Sequence, residues 1–277
     1  MMMRKSVDVG RRFYYMWRNI PYTKQAHPLQ ILDVVVPRQP PFPRSQLPVV
    51  VFVHGGAWQR GHKDGKFYAN VAPTIAELSG SVVVKVNYRL SPEVQYPEHV
   101  RDVLHAVQWI HDEIHQYGGD KDQIILMGHS AGAHAIVKLA MDPISFSNCP
   151  KLAGVIGISG VYNILRLSQA SIFGSLVLDP AFGENVKSWR EASVMQPTCP
   201  ATTDLPVLLM HASEDFHFHE DALELKTWLE TNGYAHVNVK EIPDCNHLSI
   251  IGNVNADDPM SPTTQAICDF IKKISTK

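Results

Sequence analysis

The stretch QIILMGHSAGAHAIVKLAM, residues 123–141, decides the fold class of this chain. Its apolar beginning is typical of a buried strand, and the part after Gly132 is typical of a helix. Between them, GHSAG (128–132) matches the pattern G-x-S-x-G, in which a sharp strand-to-helix turn carries a serine at its tip. We therefore predict that Ser130 is a nucleophile, the alternative being a glycine-rich turn that serves only packing.

The rest of the chain alternates strand and helix patterns, which predicts an α/β fold with a mostly parallel central sheet flanked by helices on both faces. Strands are predicted at 29–37, 49–53, 81–88, 123–128, 152–159, 205–212 and 236–242, and helices at 66–80, around 100–114, at 133–141, at 220–233 and in the last residues. The length of 277 residues is interpreted as one domain, 1–277. Residues 162–204 separate two strands with helical or irregular sequence and are predicted to form a small lid or pocket wall.

Composition excludes several functional classes. Hydrophobic residues make up 45% and charged residues 19%, as in a globular protein, and the formal net charge of −2 gives no reason to expect a nucleic-acid partner. No secretory signal is predicted, and no apolar run approaches the roughly 20 residues of a membrane span. Four widely spaced cysteines without a CxxC pair are interpreted as reduced thiols, which predicts a cytoplasmic location.

An aromatic cluster lies near the start of the sequence. It consists of Phe13, Tyr14, Tyr15 and Trp17. We predict that it packs an N-terminal helix onto the body of the protein, and contact with a membrane surface is the alternative.

A serine hydroxyl needs a base, and the base needs an orienting acid. His247 is the only histidine beyond residue 236 and lies between the last predicted strand and the last helix, so it is the predicted base. Asp215 follows the strand 205–212 by three residues and is the predicted acid, whereas Glu214 is interpreted as a solvated neighbour. Asp244 is interpreted as a loop residue. The alternative for His247 is a surface histidine without a catalytic role.

No metal or other cofactor is expected. His217 and His219 alternate in the way of metal ligands, but the sequence offers no third ligand at a suitable spacing.

The stretch VFVHGGAW, residues 51–58, runs a buried strand directly into two glycines. Attack on a carbonyl creates an oxyanion that needs N–H donors on a rigid turn. We predict that Gly56 and Ala57 supply two donors and that Ala131 supplies a third at the start of a helix. His54 is predicted to hold the turn. Trp58 is predicted to lie in the substrate pocket and narrow its acyl side, with a core position as the alternative.

Several motifs together resemble the hormone-sensitive-lipase-like branch of the α/β-hydrolases: HGGAW, NYRLSP, YGGD and GHSAGAH, with Asp215 and His247 at the expected places. The resemblance covers the chain from about Leu29 to the last helix. HGGAWQRGHKD is similar to kynurenine formamidases, in which the second glycine and its neighbour form the oxyanion hole, and this implies Gly56 and Ala57. GGAW, SAGAH and RNIPYTKQAHPLQILD (18–33) are similar to plant isoprenylcysteine methylesterases, and NYRLSPEVQYPEHVRD is similar to general carboxylesterases.

The predicted function is therefore hydrolysis of a carboxylic ester of small acyl size through an acyl-enzyme. The alternative is an arylformamidase that acts on N-formylkynurenine. A catalytically silent binding protein with the hydrolase fold is less expected, because Ser130, Asp215 and His247 are all present. The expected partner is a small-molecule ester or formamide, and the sequence leaves the oligomeric state open.

Overall fold

The computed structural model describes residues 5–9, 12–25, 27–38, 46–169, 174–196 and 204–275. Within these ranges, nine strands form one sheet in the order β1-β2-β3-β5-β4-β6-β7-β8-β9. The strands are β1 Lys5–Val9, β2 Arg12–Pro21, β3 Ile31–Pro37, β4 Leu47–Val53, β5 Val82–Val86, β6 Gly119–His129, β7 Gly154–Ile158, β8 Val207–Glu214 and β9 Val237–Asn246. The pairs β1–β2, β2–β3 and β3–β5 are antiparallel and the remaining pairs are parallel. The predicted mostly parallel sheet is confirmed.

The helices cover both faces of this sheet. They are α1 Val71–Ser79, α2 Glu98–Glu113, α3 Ala131–Met141, α4 Ile164–Gln169, α5 Asp179–Phe182, α6 Val186–Ala192, α7 Phe218–Thr231, α8 Ser249–Gly252 and α9 Pro262–Ser275. Side chains of α2, α3 and α7 share one core cluster, and those of α1, α8 and α9 share another. Strand β4 serves both, because Val49 and Val51 point to the first cluster and Val50 and Phe52 to the second. This alternation explains why central strands are apolar throughout.

Two local predictions are wrong. The aromatic stretch predicted as an N-terminal helix belongs to β2, where Tyr14 pairs with Pro37 and Tyr15 with Val36. A free edge of β3 favours strand pairing there, and aromatic residues suit a half-buried strand. Helix α1 begins at Val71 rather than at residue 66, which leaves Pro73 in the first turn, where a proline costs no helical hydrogen bond.

The insertion 162–204 contains α4, a π-helical turn at Gly174–Leu178, α5 and α6. Residues 170–173 and 197–203 of this predicted lid or pocket wall, among them Ile172 and Phe173, lie outside the described residues. The insertion contacts the main body near the predicted site: Gln59 donates from Nε2 to the carbonyl oxygens of Leu176, at 3.0 Å, and Val177, at 3.1 Å. Its role as a lid and the assignment of residues 1–277 to one domain stay predictions.

None of the described helices combines the length and the apolar character that crossing a membrane requires.

Candidate active site

Ser130 occupies a strained turn between β6 and α3. Its φ is 54° and its ψ is −121°, a backbone conformation that a residue with a side chain rarely adopts. Its N–H donates to the carbonyl of Ile158 at 2.9 Å, which ties the turn to the neighbouring strand β7. The two glycines of the motif are required by space. A Cβ at Gly132 would lie 2.3 Å from the carbonyl oxygen of Val53, and one at Gly128 would lie 2.6 Å from that of Gly132.

The structure brings the three predicted catalytic residues into one hydrogen-bonded row. The Ser130 hydroxyl lies 3.0 Å from His247 Nε2, and His247 Nδ1 lies 2.9 Å from Asp215 Oδ1. All three follow the carboxyl ends of parallel strands, namely β6, β8 and β9. An Nδ1–H that donates to Asp215 leaves the lone pair of Nε2 facing the serine hydroxyl, which is the arrangement of a general base.

The carboxylate of Asp215 is fully buried and well supplied with donors. Its Oδ2 accepts from the N–H of Ala212 at 3.3 Å and its Oδ1 from the N–H of Phe216 at 3.1 Å. Burial raises the pKa of Asp215. The hydrogen bond and the charge interaction with His247, together with the N–H of Ala212, more than offset this and leave the pKa below its ordinary value. The group is therefore ionised at neutral pH. Glu214 and Asp244 are exposed.

The turn after β4 lies against the serine. A Cβ at Gly55 would lie 2.8 Å from both the Ser130 Cβ and the His129 carbonyl oxygen, so only glycine allows this approach. Gly56 and Ala57 both have positive φ, of 129° and 53°. Among the described residues, no acceptor takes the N–H groups of these two residues or of Ala131. Three unused donors thus lie on the segments that flank the hydroxyl.

His54 holds this turn from inside. It is buried, its Nδ1–H donates to the carbonyl of Gly55 at 2.8 Å, and its ring stacks on Tyr88 with 4.7 Å between ring centroids. Burial lowers the pKa of His54 from 6.5 to about 4, so the ring is neutral. Its neighbour Gly61 must be a glycine, because a Cβ there would lie 2.6 Å from His54 Nδ1.

Trp58 lies in a buried cluster behind the turn rather than on an open wall. Only 1% of the residue is exposed. Its Nε1–H donates to His134 Nδ1 at 3.2 Å, and its ring meets Phe182 edge-on at 4.7 Å. His134 in turn donates to the carbonyl of Ala192 at 2.9 Å. The indole can therefore affect the acyl side only through the turn and the insertion that it supports.

Two residues that the sequence analysis did not single out connect the segments of the site. The Tyr68 hydroxyl lies 3.1 Å from the Gly55 nitrogen and 3.0 Å from His129 Nδ1, and His129 Nε2 lies 2.8 Å from the carbonyl oxygen of His247. Tyr68 and Gly55 are 13 residues apart and Tyr68 and His129 are 61 apart. Contacts at such separations leave no signal in a single sequence.

A second group of side chains holds the far end of the same turn, and we call it the charged cluster: Arg18, Asp33, Lys63, Asp64 and Lys85. Lys63 Nζ lies 2.8 Å from Asp33 and 3.2 Å from Asp64, and Lys85 Nζ lies 2.5 Å from Asp64. Arg18 pairs with Asp64. The cluster explains why the stretch 18–33 and the GHKD that ends the turn occur together, since both supply its members.

The expectation that His217 and His219 have no third metal ligand at a suitable spacing is wrong. Glu220 joins them, and the ligand atoms lie within 4.8 Å of one another. The carboxylate of Glu220 already faces His217 Nδ1 at 3.3 Å and Arg166 Nε at 3.8 Å. The group also lies at the positive end of α7, which disfavours a cation. The contact with His217 and the ion pair with Arg166 account for the position of Glu220 beside the two histidines.

Comparison with known proteins agrees with this architecture. The BD-FAE family model matches residues 32–229. A protein of Oryza sativa subsp. japonica named "Probable isoprenylcysteine alpha-carbonyl methylesterase ICME" is 30% identical over 243 residues, which is 81% of this chain and 56% of that protein. Esterase LipC of Mycobacterium tuberculosis is 28% identical over 263 residues, which is 89% of this chain and 63% of that protein. The chain thus spans less than two thirds of the length of both relatives.

A solved structure gives the same fold. Esterase B from Lactobacillus rhamnosis superposes with a TM-score of 0.81 at 20% sequence identity, over 95% of this chain and 86% of that one. The family model covers well over half of the chain and includes Ser130 and Asp215. The chain therefore belongs to the BD-FAE family and is an α/β-hydrolase of the hormone-sensitive-lipase-like branch.

Proposed function

We propose that this protein is a serine hydrolase that cleaves carboxylic esters through an acyl-enzyme. The observation that carries the proposal is the unbroken row Asp215–His247–Ser130, with distances of 2.9 Å and 3.0 Å, beside N–H groups that have no acceptor among the described residues. A hydroxyl, a base, an oriented acid and free donors are the parts that acyl transfer needs. The esterase names of the relatives support the same reaction class.

In the proposed reaction, His247 Nε2 takes the proton of Ser130 as its oxygen attacks the ester carbonyl. The N–H groups of Gly56, Ala57 and Ala131 receive the oxyanion, and Asp215 stabilises the imidazolium that forms. His247 then gives the proton to the leaving alcohol, which departs and leaves an acyl-Ser130. Water repeats the sequence, with His247 again as base, and releases the acid.

The leaving group is proposed to be apolar. Because His247 must protonate it, the leaving oxygen has to pass beside this ring. The rings of Phe216 and Phe218 meet His247 edge-on at 5.4 Å and 5.2 Å, and Phe216 is 62% exposed although it is a large hydrophobic side chain. Leu248 adds a further exposed apolar group at 46%. This surface favours an alkyl or aryl alcohol over a charged one.

The acyl group is proposed to be small, of two to four carbons, because the turn that carries Gly55 lies directly against Ser130 and the buried Trp58 supports that turn from behind. A methyl ester of a large isoprenylated acid has a large acyl group and a small leaving alcohol, the reverse of the proposed substrate. The name of the Oryza sativa relative makes such methyl esters the competing ester class. The formamide alternative uses the same catalytic residues, so only the choice of substrate can separate the three alternatives. One panel does this: short and long p-nitrophenyl esters, an isoprenylcysteine methyl ester and N-formylkynurenine. We expect kcat/KM at least about tenfold higher for C2–C4 than for C10 esters.

The catalytic assignment is tested by Ser130→Ala. We expect turnover to fall by several powers of ten and labelling by a fluorophosphonate probe to disappear, with the melting temperature preserved. Ser168→Ala, on α4, is the matched control and should keep both turnover and labelling by the probe. Turnover of the Ser130 variant within about tenfold of wild type would exclude an acyl-enzyme on this residue.

The acid is tested by a pair of adjacent variants. Asp215→Asn should lower kcat by about 10²–10⁴, since an amide favours the wrong tautomer of His247. Glu214→Gln, on an exposed neighbour, should leave kcat nearly unchanged. The reverse order would assign the acid to Glu214.

A cytoplasmic location remains part of the proposal. Cys149, Cys245 and Cys268 are free thiols, as the sequence analysis expects, and Cys199 lies outside the described residues.

A further inference from the structure

Tyr68 and His129 form a continuous path of hydrogen bonds between three segments of the site. The Gly55 N–H reaches the Tyr68 hydroxyl, that hydroxyl reaches His129 Nδ1, and His129 Nε2 reaches the carbonyl of His247. Gly55 precedes the proposed donors Gly56 and Ala57, and His129 precedes Ser130. The path therefore ends on the backbone of the proposed base.

The direction of every proton on this path is fixed. The carbonyl oxygen of His247 can only accept, so His129 carries its proton on Nε2, and Nδ1 of the neutral ring accepts the proton of the Tyr68 hydroxyl. The Gly55 N–H in turn donates to the Tyr68 oxygen. All three bonds point the same way, and bonds in such a chain polarise one another and strengthen together.

Both side chains stay uncharged over the range in which an esterase works. Burial lowers the pKa of His129 from 6.5 to about 3, and burial raises the pKa of Tyr68 from 10.0 to about 12. The Tyr68 ring packs on Phe52 with 5.6 Å between ring centroids, and the His129 ring lies 4.8 Å from that of His247. Neither side chain is free to turn away, and both keep these hydrogen bonds near neutral pH.

We propose that Tyr68 and His129 are positioning residues, which fix the oxyanion turn relative to the serine elbow and the base. The proposal rests on the serine-hydrolase function proposed above and adds residues that the triad does not include. Its consequence is specific: breaking the path should harm the transition state more than substrate binding, because the donors must meet an oxyanion that exists only there.

The central test is Tyr68→Phe, which keeps the ring and removes both hydrogen bonds of the hydroxyl. We expect kcat to fall about 10- to 100-fold with KM within about threefold of wild type, since misplacement of catalytic groups by about 1 Å can cost that much. Tyr22→Phe is the matched control. Tyr22 is 6% exposed, against 7% for Tyr68, and its hydroxyl also makes a hydrogen bond, to the carbonyl of Asn87 at 2.9 Å, which involves no member of the path.

A merely structural role predicts a different result. Both tyrosine variants would then lose similar stability, as measured by melting temperature, and similar kcat. If kcat of Tyr68→Phe lies within about threefold of Tyr22→Phe, the positioning role is overturned.

His129 allows the two halves of the path to be cut separately. His129→Gln places an amide nitrogen near the position of Nε2 and can keep the bond to His247, whereas His129→Asn places an oxygen near Nδ1 and can keep the bond from Tyr68. We expect each to lower kcat, and we expect Tyr68→Phe to cost at most about threefold more when added to either. Full additivity of the effects would show that no common path exists.

The outcome is distinguishable from failure of the proposed function. Turnover that survives Ser130→Ala refutes the serine mechanism whatever Tyr68 does. If Ser130→Ala abolishes turnover but Tyr68→Phe and Tyr22→Phe lower kcat equally, only the positioning role is refuted. In wild type, ¹⁵N shifts of His129 should show a proton on Nε2 and none on Nδ1, and a proton on Nδ1 would contradict the path directly.

Discussion

The turn from His54 to Asp64 is held at its two ends by groups of opposite chemistry. At the end beside Ser130, the neutral side chains of His54, Tyr68 and His129 hold it by hydrogen bonds. At the other end, the charged cluster holds it by ion pairs, with the side chains of Asp33 and Lys63 fully buried.

The difference follows from what each end must do. A titrating carboxylate beside the reacting carbonyl would oppose the oxyanion, whereas fixed neutral dipoles support it at any working pH. The far end needs only to anchor the loop, and buried charges are tolerated there because each has a partner. The neutral end should therefore control kcat, and the charged cluster should mainly control the free energy of unfolding.

The largest expected effect comes from breaking the charged cluster. In Lys63→Met, the carboxylate of Asp33 stays buried but loses one of its cationic partners. Removing one partner of a buried ion pair lowers the free energy of unfolding by about 3–5 kcal/mol. We expect this loss in the free energy of unfolding measured by urea denaturation. The folded fraction should lose less kcat than Tyr68→Phe does.

Lys66→Met is the control for this variant, because Lys66 is exposed. It should change the free energy of unfolding by no more than about 0.5 kcal/mol. If Lys63→Met lowers the free energy of unfolding no more than Lys66→Met, or lowers kcat more than Tyr68→Phe, the roles assigned to the two ends of the turn are wrong.

The second effect is acid sensitivity, which originates at the neutral end. Burial lowers the pKa of His54 from 6.5 to about 4 and that of His129 to about 3. Because the folded pKa is the lower one, unfolding takes up protons, so this stability is complete above pH 6.5 and is lost as the pH falls toward 4. Each histidine should contribute about 1.4 kcal/mol per pH unit in that window. Two further buried histidines, His99 and His134, act with the same sign.

The charged cluster responds in a different window. Burial raises the pKa of Asp64, but hydrogen bonds and charge interactions with Lys85 and Lys63 outweigh it and lower the pKa below its ordinary 3.8. Its contribution is therefore present above pH 3.8 and is lost only below it. Between pH 7 and 4, the free energy of unfolding should therefore depend less steeply on pH in His129→Gln than in wild type. The exposed His236→Gln is the control, and an equal change in both would contradict the assignment.

The smallest expected effect is at the surface of the charged cluster. The Arg18 side chain is 48% exposed and pairs with Asp64 and, at 3.7 Å, with Asp33. Solvent screens such a pair, so Arg18→Ala should lower the free energy of unfolding by at most about 1 kcal/mol. A loss comparable to that of Lys63→Met would place Arg18 among the essential members.

The catalytic row could be predicted because its members are tied to local pattern and chain order. GHSAG has its strand before and its helix after, and Asp215 and His247 each follow a recognisable strand. The structure brings all three together, as the sequence analysis expects. Their chemical roles stay predictions until the variants are measured.

What the sequence could not give are contacts that only the folded chain creates. The burial of Trp58 depends on α5 and α6, and the path through Tyr68 joins residues 61 positions apart. Strand β2 was missed because its pairing with β3 overrides a local pattern that suits either structure. The histidine before the serine was visible in the motif, but nothing in one sequence indicates that its ring faces a tyrosine.

The composition of the charged cluster also bears on the order of folding. Its members come from β2, β3, β5 and the turn, and Arg18 and Asp64 are 46 residues apart in the chain. Loop-closure entropy makes such distant contacts slow to form, while the hydrogen bonds of α2 and α3 are local. The turn that carries Gly56 can reach its final shape only after these strands have assembled. During refolding, recovery of the proposed ester hydrolysis should accordingly lag behind recovery of helical circular dichroism.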